Sequence, residues 1–563
     1  MKEIRYIFKY KVILFLFLIY FICVLTPAFT DGTIRCFENQ CGLVNRDMRD
    51  GMWFDAISAV AFKSVPFQMP NFAGQQLGGY HYLPNLLSFL IHQTTSLPFY
   101  FIRLKILPFI YLFLVMILSV KVAKKIHDDH RFVFIFVLFL LLGGPLRIIT
   151  ALYNFNLSEL WSNFMINTFE ATNIMVSPHT AFSLVLLLLL LNSLLESKIT
   201  FKYIFFNSVI LLLLFGTKFY TAFAAIIIYF TYSMQICIKE KKFSHAVMIA
   251  LSLFITVVLS YFAFYGARSI GKNSVFTFAP FALAHHIIEN KTRFFYSNDL
   301  VLQRYFLYSN VSKFSLRLLL IELYSSFLFI LFYVGIRSIG LLFIVFKIKD
   351  IIKNKLWLSL LFAIIPLTLF PLLFIQRGVW FDTAQFLVTG SFLLSIFSSE
   401  IIFRLIHRIE KKFVIITFLI LLPFFIQNIL ILKKNFDPFN PIISHEELQA
   451  LKILKSKPQG TVFYPITNGD SPYVNVFSEK QSFVNYVHVL ENVGINYLKR
   501  LQIADSADVD ALAKQEVSYI YIVKKYNYSE TPYFSRLYFN LAKSKKYSVF
   551  FSNSKVTMYV RNK

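Results

Sequence analysis

The chain has 563 residues, of which 57% are hydrophobic and 18% aromatic, and its mean hydropathy is +0.61. Soluble domains average about 45 to 50% apolar residues, so this composition excludes an ordinary soluble protein and indicates a polytopic membrane protein. The formal net charge is +26. Most of the surplus Lys and Arg residues lie in short stretches between apolar segments, where they set membrane orientation, so the charge does not predict a nucleic-acid partner.

The first apolar segment, residues 12–25, follows a basic stretch and has no small-x-small cleavage site after it. We therefore predict an uncleaved first span with a cytoplasmic N-terminus, which places the loop at 31–98 outside. The further predicted spans lie at 99–120, 132–142, 180–195, 203–237 (two short spans), 246–264, between 315 and 347, 356–375, before Arg404, and 413–432.

The run Tyr203–Cys237 is divided in two because Lys218 lies near its middle and basic residues flank both of its ends. A lysine at the centre of a membrane helix costs about 3 kcal/mol on insertion scales. Two short spans that meet at Gly216–Tyr220 bring Lys218 to the outer surface instead. Arg337 falls inside the span before residue 347, and the sequence leaves open whether the helix ends near it or its guanidinium reaches the interface.

The composition changes after Asp437, where the chain reads as a soluble domain. The spacing from Ser444 to Glu447 predicts a capping box. The domain's other predicted elements are strands at Thr461–Tyr464 and Val517–Val523, a helix at Asp508–Glu516, and a hairpin of Tyr547–Phe551 with Val556–Val560. The predicted fold class is a polytopic α-helical membrane protein of about 11 spans with a C-terminal extracytoplasmic α/β domain. The predicted domains are 1–433, which includes the loop 31–98, and 434–563.

Two cysteines, Cys36 and Cys41, lie in the first loop. Outside the cell a disulfide between them could form, but their spacing leaves this open. Zinc is disfavoured, because no further thiols or nearby histidines complete a site.

Charged and aromatic side chains cluster at the predicted outer ends of spans. A transporter would more often place such groups near the membrane midplane on broken, repeated helices. The pattern favours a cavity at the outer membrane surface that holds an anionic lipid head group beside carboxylates. Its ionisable members are Asp47, Asp50, Asp55, His81, Arg103, Lys105, Arg147, Glu170, His179, Lys218, Arg377 and Asp382.

Five short motifs follow one another in a particular order: Asp50–Trp53, Phe72–Gly74, Tyr80–Tyr82, Lys218–Tyr220 and Trp380–Phe386. This order, followed by an outer α/β domain, resembles the C-type (GT-C) integral-membrane glycosyltransferase superfamily, near its dolichyl-phosphate-mannose protein mannosyltransferase group. The order of spans, loops and the C-terminal domain resembles that of the superfamily over nearly the whole chain. Individual residues match only within these motifs. It implies a polyprenyl-phosphate sugar as donor and a catalytic acidic residue in the first outer loop.

By this resemblance Asp50 matches the acidic residue and would be the general base, which must lie within hydrogen-bond reach of an acceptor hydroxyl. Related members often have a His soon after the Trp, whereas here Phe54 and Asp55 follow Trp53, so Asp47, Asp50 and Asp55 all stay open as the operative carboxylate. The predicted catalytic residues are Asp50, Asp55 and Glu170. The residues predicted to hold the donor phosphate are Lys218, Arg377, Arg103 and Lys105. The predicted substrate contacts are Asp47, Trp53, Tyr80, His81, Tyr82, His179 and Asp382.

The sequence thus predicts an inverting glycosyltransferase that moves a sugar from a polyprenyl-phosphate donor to an acceptor hydroxyl on the outer face of the plasma membrane. Its expected partners are that donor and membrane lipid, and the acceptor is not identified. Alternatives are a transporter or flippase of lipid-linked glycans, and a glycan polymerase or ligase. Carboxylates could hold Mg²⁺ or Mn²⁺ against a phosphate, but a monophosphate leaving group makes this less necessary, so no metal is predicted.

Overall fold

The computed structural model describes the residues 34–37, 40–43, 48–153, 177–196, 198–266, 275–289, 296–310, 315–376, 380–406, 413–436, 440–465, 471–524 and 532–562. Within them, long helices dominate and three small sheets are present. The predicted first span, residues 12–25, lies outside the described part of the chain.

The first group of elements runs to residue 265, and two of its helices contain a π-helical turn, at Ile102–Ile106 and Tyr261–Tyr265. Its members are β1 (Ile34–Phe37), β2 (Gln40–Leu43), α1 (Met48–Val60), α2 (Leu83–Thr95), α3 (Phe99–Ile126), α4 (His130–Leu142), α5 (Arg147–Tyr153), α6 (Pro178–Glu196), α7 (Phe201–Thr217), α8 (Phe219–Lys239) and α9 (Phe243–Tyr265).

The second group contains the remaining elements as far as residue 436. Its members are β3 (Phe276–Phe278), α10 (His286–Glu289), α11 (Asn298–Asn310), α12 (Leu316–Val334), α13 (Ile339–Phe346), α14 (Ile348–Lys353), α15 (Lys355–Leu373), β4 (Phe374–Gln376), α16 (Ala384–Ile406) and α17 (Phe413–Phe436).

The third group belongs to the C-terminal segment. Its members are β5 (Asn440–Ser444), α18 (His445–Ser456), β6 (Thr461–Phe463), α19 (Tyr473–Ser478), α20 (Val487–Asn492), α21 (Leu498–Ser506), α22 (Val509–Lys514), β7 (Val517–Val523), α23 (Pro532–Lys543), β8 (Tyr547–Ser552) and β9 (Val556–Arg561).

Among the described residues, seven helical segments are long and apolar enough to cross a membrane, or up to eight if the bent pair α4 and α5 is one span. A helix suits this role because all its backbone polar groups are satisfied within the segment. The protein is therefore a multi-pass membrane protein. The predicted count of eleven spans stays a prediction. The seven segments are Phe99–Ile126, Pro178–Glu196, Phe219–Lys239, Phe243–Tyr265, Leu316–Phe346, Lys355–Leu373 and Trp380–Leu405.

The predicted interruption at Lys218 is confirmed. Helix α7 ends at Thr217 and α8 begins at Phe219, and the intervening Lys218 has an extended backbone with φ −163° and ψ 114°. An extended residue ends the helical hydrogen-bond ladder, so the long apolar run becomes two helices rather than one. Lys218 therefore belongs to neither helix.

The chain divides into two compact units. The first contains residues 108–260 and 274–432 and so holds most of the long apolar helices.

Within the first unit, Arg337 lies in a 3₁₀ turn that follows α12. The helix therefore ends near Arg337, which was one of the two alternatives that the sequence left open. Its guanidinium is buried and donates to the backbone carbonyls of Phe139 and Leu140 in the last turn of α4, and the Phe139 carbonyl also accepts from the Gly143 N–H. Gly335 begins this turn with φ +68°, and a Cβ there would lie 1.8 Å from the Gly144 carbonyl oxygen.

The second unit contains residues 27–107, 261–273 and 433–563. The predicted division placed the loop 31–98 with the membrane domain, whereas the structure groups it with the C-terminal segment. The physical reason is direct pairing, because β2 forms an antiparallel ladder with β5. The Asn71 side chain also donates to the backbone of Asn485 and Tyr486.

A four-stranded sheet in the C-terminal segment has the order β6-β7-β9-β8. Strands β6 and β7 are parallel, and the other neighbours are antiparallel. Helix α18 packs Leu451 and Leu454 in one core cluster with Tyr521 and Met558 of this sheet. The predicted capping box at the start of α18 is present, since Ser444 and Glu447 each bond the other's backbone N–H.

Cys36 and Cys41 are directly opposite each other on β1 and β2, and their sulfur atoms form a disulfide. A ring nitrogen of His445 lies within 4.8 Å of both sulfur atoms. Cysteine binds a metal as a thiolate, and the bridged sulfurs are not thiolates. The structure thus resolves this pair as a cross-strand link rather than a metal centre.

Candidate functional site

Helix α1 of the second unit carries three of the predicted site residues. Asp50 lies on its first turn and is exposed, whereas Trp53 and Asp55 are buried. Residues one position apart on a helix point about 100° apart, so Asp50 and Gly51 face different surroundings, while Gly51 and Asp55 share one face. The helix therefore separates an exposed carboxylate from a buried one.

The buried carboxylate forms an ion pair with Arg103 of α3. Arg103 donates Nε to Oδ1 and Nη2 to Oδ2 of Asp55, each at 3.0 Å. Both side chains are only 2% exposed. Burial raises the pKa of the Asp55 carboxyl, and the Arg103 guanidinium opposes this. Because both carboxylate oxygens are engaged by Arg103, Asp55 lies in a structural pair, although Asp55 was predicted as catalytic and Arg103 as a phosphate ligand.

Gly51 permits this pairing. A Cβ added at Gly51 would lie 2.8 Å from both Nη1 and Nη2 of Arg103. The guanidinium thus packs directly against the backbone of α1 one turn before Asp55. The glycine in the Asp50–Trp53 motif has a packing reason that the sequence alone did not reveal.

An aromatic cluster surrounds Trp53. Its indole ring contacts Tyr80 edge to face and Tyr486 at a tilt, in both cases with 5.9 Å between ring centroids. His81 stacks on Tyr80 at 4.8 Å, and His488 lies against Tyr486 at 3.9 Å. We call Trp53, Tyr80, His81, Tyr486 and His488 the Trp53 cluster. The sequence reasoning missed Tyr486 and His488, because the tertiary fold brings them to Trp53 and no local pattern connects them.

The indole Nε1 of Trp53 is buried, and no hydrogen-bond acceptor in the described part of the chain pairs with it. A buried N–H without an acceptor is unfavourable in a finished fold. The indole N–H of Trp53 is therefore available to an acceptor on a bound molecule.

The segment Gly79–Tyr82 has a backbone role as well. Gly79 and Tyr80 donate their N–H groups to the carbonyls of Tyr265 and Phe264. The Tyr82 hydroxyl donates to the Ala263 carbonyl at 2.9 Å, and the ring is buried. Tyr82, predicted as a substrate contact, thus anchors this segment, while Tyr80 and His81 stay half-buried.

Lys105 lies two residues after Arg103 in the π-helical turn Ile102–Ile106. It is half-buried, and its ammonium lies 5.3 Å from the centroid of the Phe101 ring. Whereas Arg103 is committed to Asp55, Lys105 stays available to an anion.

The first unit contains a separate polar group around Lys218. Its Nζ donates to Thr180 Oγ1 at 2.5 Å, and the side chain is 8% exposed. Burial lowers the pKa of Lys218 to about 8, and the charge of Asp382 acts in the opposite direction. Lys218 is thus mostly a cation at neutral pH but loses its proton more readily than an ordinary lysine.

Asp382 is held by two amide side chains. Gln376 and Gln385 each donate Nε2 to one of its carboxylate oxygens at 3.4 Å. The Tyr220 hydroxyl donates to Gln376 Oε1 at 2.9 Å and links this network to the Lys218–Tyr220 motif. We call Lys218, Thr180, Tyr220, Gln376 and Asp382 the Lys218 cluster.

The other predicted site residues are distributed as follows. His179 is buried on the first turn of α6, next to Thr180 of the Lys218 cluster. Arg147 begins α5. Asp47, Glu170 and Arg377 lie outside the described residues, so their predicted roles stay predictions.

In chemical terms the two clusters offer different groups. The α1 region offers an exposed carboxylate beside an aromatic surface with a spare indole N–H. The Lys218 cluster offers a buried cation with hydroxyl and amide neighbours, which suits an anion better than a metal ion. The Cys36, Cys41 and His445 group is the one close set of three candidate metal ligands found among the described residues, and its cysteines are bridged.

No family model matches the chain, and no curated protein matches it. The solved structures similar to it include two of an oligosaccharyltransferase from Archaeoglobus fulgidus. One is a complex with zinc and sulfate, with 13% identity over 97% of this chain and 72% of that chain and a TM-score of 0.49. The other is the same organism's AglB with an inhibitory peptide and a dolichol-phosphate, with 13% identity over 99% of this chain and 75% of that chain and a TM-score of 0.48. A likeness this distant does not establish a function.

Proposed function

We propose that this protein is a membrane glycosyltransferase of the C-type class that moves a sugar from a polyprenyl-phosphate donor to an acceptor hydroxyl, with Asp50 as the general base. The observation that carries the proposal is the contrast between the two carboxylates of α1. Asp55 has both oxygens engaged by Arg103, whereas Asp50 is exposed on the first turn. The exposed carboxylate is the one that an acceptor hydroxyl could approach.

The reaction consists of one displacement. The Asp50 carboxylate takes the proton of the acceptor hydroxyl as its oxygen attacks the anomeric carbon of the sugar. The bond from that carbon to the phosphate oxygen breaks, and polyprenyl phosphate leaves with the bonding electrons. Attack from the face opposite the phosphate inverts the anomeric configuration. The Trp53 cluster would bind the sugar, and its indole N–H would donate to a sugar oxygen.

The leaving phosphate gains negative charge as the bond breaks and needs a cation that stabilises it. We assign this role to Lys105, which is half-buried and lies in the same compact unit as Asp50. Lys218, a buried ammonium with a hydroxyl neighbour in the other unit, stays a candidate phosphate ligand by its place in the Lys218–Tyr220 motif. Arg377 remains a candidate from its sequence position alone, while Arg103 acts indirectly by holding Asp55.

The test uses the full chain in lipid nanodiscs with a panel of polyprenyl-phosphate sugars and candidate acceptors. Release of polyprenyl phosphate is measured in a single-turnover assay. Asp50→Asn is expected to lower the rate by roughly 10² to 10⁴-fold, the usual contribution of a general base. Asp510→Asn is the matched control, since Asp510 is also exposed on the first turn of a helix, and it should react at the parent rate.

Full activity in Asp50→Asn would remove Asp50 from the mechanism. A chain that releases no lipid phosphate from any donor, but moves labelled lipid-linked glycan between leaflets, would instead be a flippase. A product ladder on a gel would indicate a polymerase or ligase.

A further inference from the structure

Helix α11 exposes large apolar side chains on a helix that is not itself a membrane span. Leu302, Tyr305, Phe306 and Tyr308 are 60%, 54%, 66% and 72% exposed. The first three have the i, i+3, i+4 spacing of a single helix face. Polar residues occupy both ends of the helix, which begins Asn298-Asp299 and ends Ser309-Asn310. The exposed apolar patch is thus confined to the middle two turns.

The opposite face of α11 is fixed by a buried ionic cluster. Arg304 donates Nε to Glu322 Oε1 at 2.7 Å and Nη1 to Glu289 Oε1 at 2.9 Å. Its Nη2 lies 2.9 Å from His285 Nδ1. Arg304 is 8% exposed and Glu322 is 6% exposed, so the pairs are shielded from solvent. Breaking such a pair leaves a buried charge without compensation, and the cluster therefore holds α11 in one orientation.

The bond from Arg304 to Glu322 also fixes the position of α11 along the axis of α12, the neighbouring predicted membrane span. Glu322 is six residues into α12, which places it about 9 Å along the helix axis from Leu316. Apolar residues of α12 are exposed on both sides of that level, with Leu316 at 63% and Leu323 at 49%. Leu316–Phe346 is long and apolar enough to cross a membrane, so we expect its exposed apolar residues to face lipid. The exposed patch of α11 therefore lies beside apolar surface that is expected to face lipid.

We infer that α11 is a membrane-interface helix whose face of Leu302, Tyr305 and Phe306 inserts into the bilayer boundary, with the Arg304 cluster holding it there. Tyr, Phe and Leu are typical of such boundaries, because their apolar bodies enter the acyl region while polar ends stay hydrated. Arg317 of α12 donates to Gln303 of α11 and is itself exposed, which adds a cation at the level of lipid phosphates.

The test measures the depth of one residue in a bilayer. A single cysteine replaces Phe306 in a full-length Cys23→Ala, Cys237→Ala chain that keeps the Cys36–Cys41 disulfide, and a nitroxide label is attached. Collision rates of the label with lipid-soluble oxygen and with a water-soluble nickel chelate are measured in lipid nanodiscs. The matched control carries the label at Phe539, which is 56% exposed on α23 of the C-terminal segment. We expect the ratio of oxygen to nickel collisions to be several-fold higher at position 306 than at position 539.

Two outcomes would overturn the inference. Equal ratios at the two positions would show that the α11 face is in water. Low collision rates with both reagents at position 306 would show that a protein partner or a second copy of the chain covers the patch.

The anchoring role of the ionic cluster has its own readout. Arg304→Gln, introduced into the chain labelled at position 306, should lower the oxygen-to-nickel ratio toward that of the Phe539 control. Lys353→Gln, an exposed change on α14, should leave the ratio unchanged. If Arg304→Gln yields no folded protein by gel filtration, Glu289→Gln removes one partner of Arg304 and should lower the ratio in the same direction. An unchanged ratio in the folded variant would contradict the anchoring role.

Discussion

At the residue scale, the Asp55–Arg103 pair shows why the two carboxylates of α1 differ. The attraction between two buried charges offsets the free-energy cost of removing them from water only while both partners are present. Removing one partner therefore leaves a buried charge that destabilises the fold. Asp55→Leu should therefore destabilise the protein by about 3 to 5 kcal/mol, because it leaves the Arg103 charge buried. The double variant Asp55→Leu with Arg103→Met should recover most of that loss. Thermal unfolding in detergent measures both, and equal destabilisation of the single and double variants would contradict the pairing.

A second prediction at the residue scale concerns Gly51→Ala. Whether this change raises or lowers the stability of the protein tests the packing of Arg103 against α1. Alanine is favoured over glycine inside a helix by about 1 kcal/mol. At Gly51 this preference is opposed, because the new Cβ would meet the Arg103 guanidinium at 2.8 Å. Since Arg103 is buried and bonded to Asp55, it cannot move away freely, and Gly51→Ala should lower stability by roughly 1 to 3 kcal/mol.

The control is Gly390→Ala, also within a helix. A Cβ there would lie 3.5 Å from the Leu367 Cβ, which is ordinary contact. Gly390→Ala should therefore leave the melting temperature unchanged or raise it. Opposite shifts of the two variants support the packing of Arg103 against α1, and a stabilised Gly51→Ala would refute it.

At the element scale, the junction of α7 and α8 places Lys218 where its charge depends on pH. The lysine is a cation below its pKa of about 8 and neutral above it. If it holds the donor phosphate, the affinity for polyprenyl phosphate should be highest below pH 8 and fall as the pH rises through that value. Lys218→Arg should remove this fall, because a guanidinium keeps its charge throughout the range.

Binding of a fluorescent polyprenyl phosphate to nanodiscs between pH 6 and about pH 10 measures this dependence. Lys218→Met should lose affinity at every pH. Lys239→Met, an exposed change at the other end of α8, is the control and should keep both affinity and pH profile. An unchanged profile in Lys218→Arg would show that another group titrates.

The sequence could predict elements whose cause lies within a few neighbouring residues. The basic residues at both ends of one apolar run predicted the break at Lys218, and the Ser444 to Glu447 spacing predicted a capping box. The Asp55–Arg103 pair could not be predicted, because no pattern distinguishes a buried carboxylate from an exposed one five positions away. Nor did any pattern bring Tyr486 to Trp53. Such contacts depend on packing between distant segments rather than on local spacing.

At the scale of the whole molecule, the first loop and the C-terminal segment form one unit, although Asn71 and Asn485 are 414 positions apart in the chain. Several contacts of the loop segment Pro70–Ala73 support this grouping. The carbonyl of Pro70 accepts from the Asn475 side chain, and Ala73 and Ser482 are joined through the backbone. The Phe72–Gly74 motif therefore has a structural explanation in its docking to the C-terminal segment.

Arg500 is central to this docking and supplies the prediction at this scale. Its Nη1 donates to the carbonyls of Ala73 and Phe483 at 2.8 and 2.9 Å. Its guanidinium lies over the Phe72 ring, 4.1 Å from the centroid. A hydrogen bond from a charged donor contributes about 1.5 to 3 kcal/mol. Arg500→Gln should therefore lower the free energy of local opening of residues 70–74 by about 2 kcal/mol. This corresponds to a roughly 30-fold increase in their amide exchange rate.

Hydrogen exchange followed by mass spectrometry on the full chain measures this effect at the peptide level. Lys499→Gln is the matched control, because Lys499 is exposed and adjacent on the same helix. It removes the same charge and should leave exchange at 70–74 at the parent rate. If Arg500→Gln and Lys499→Gln exchange alike, the loop does not depend on Arg500 for its docking. If exchange rises at 70–74 in Arg500→Gln alone, the first loop holds its conformation through the C-terminal segment, and that segment then also supports the helix that carries Asp50.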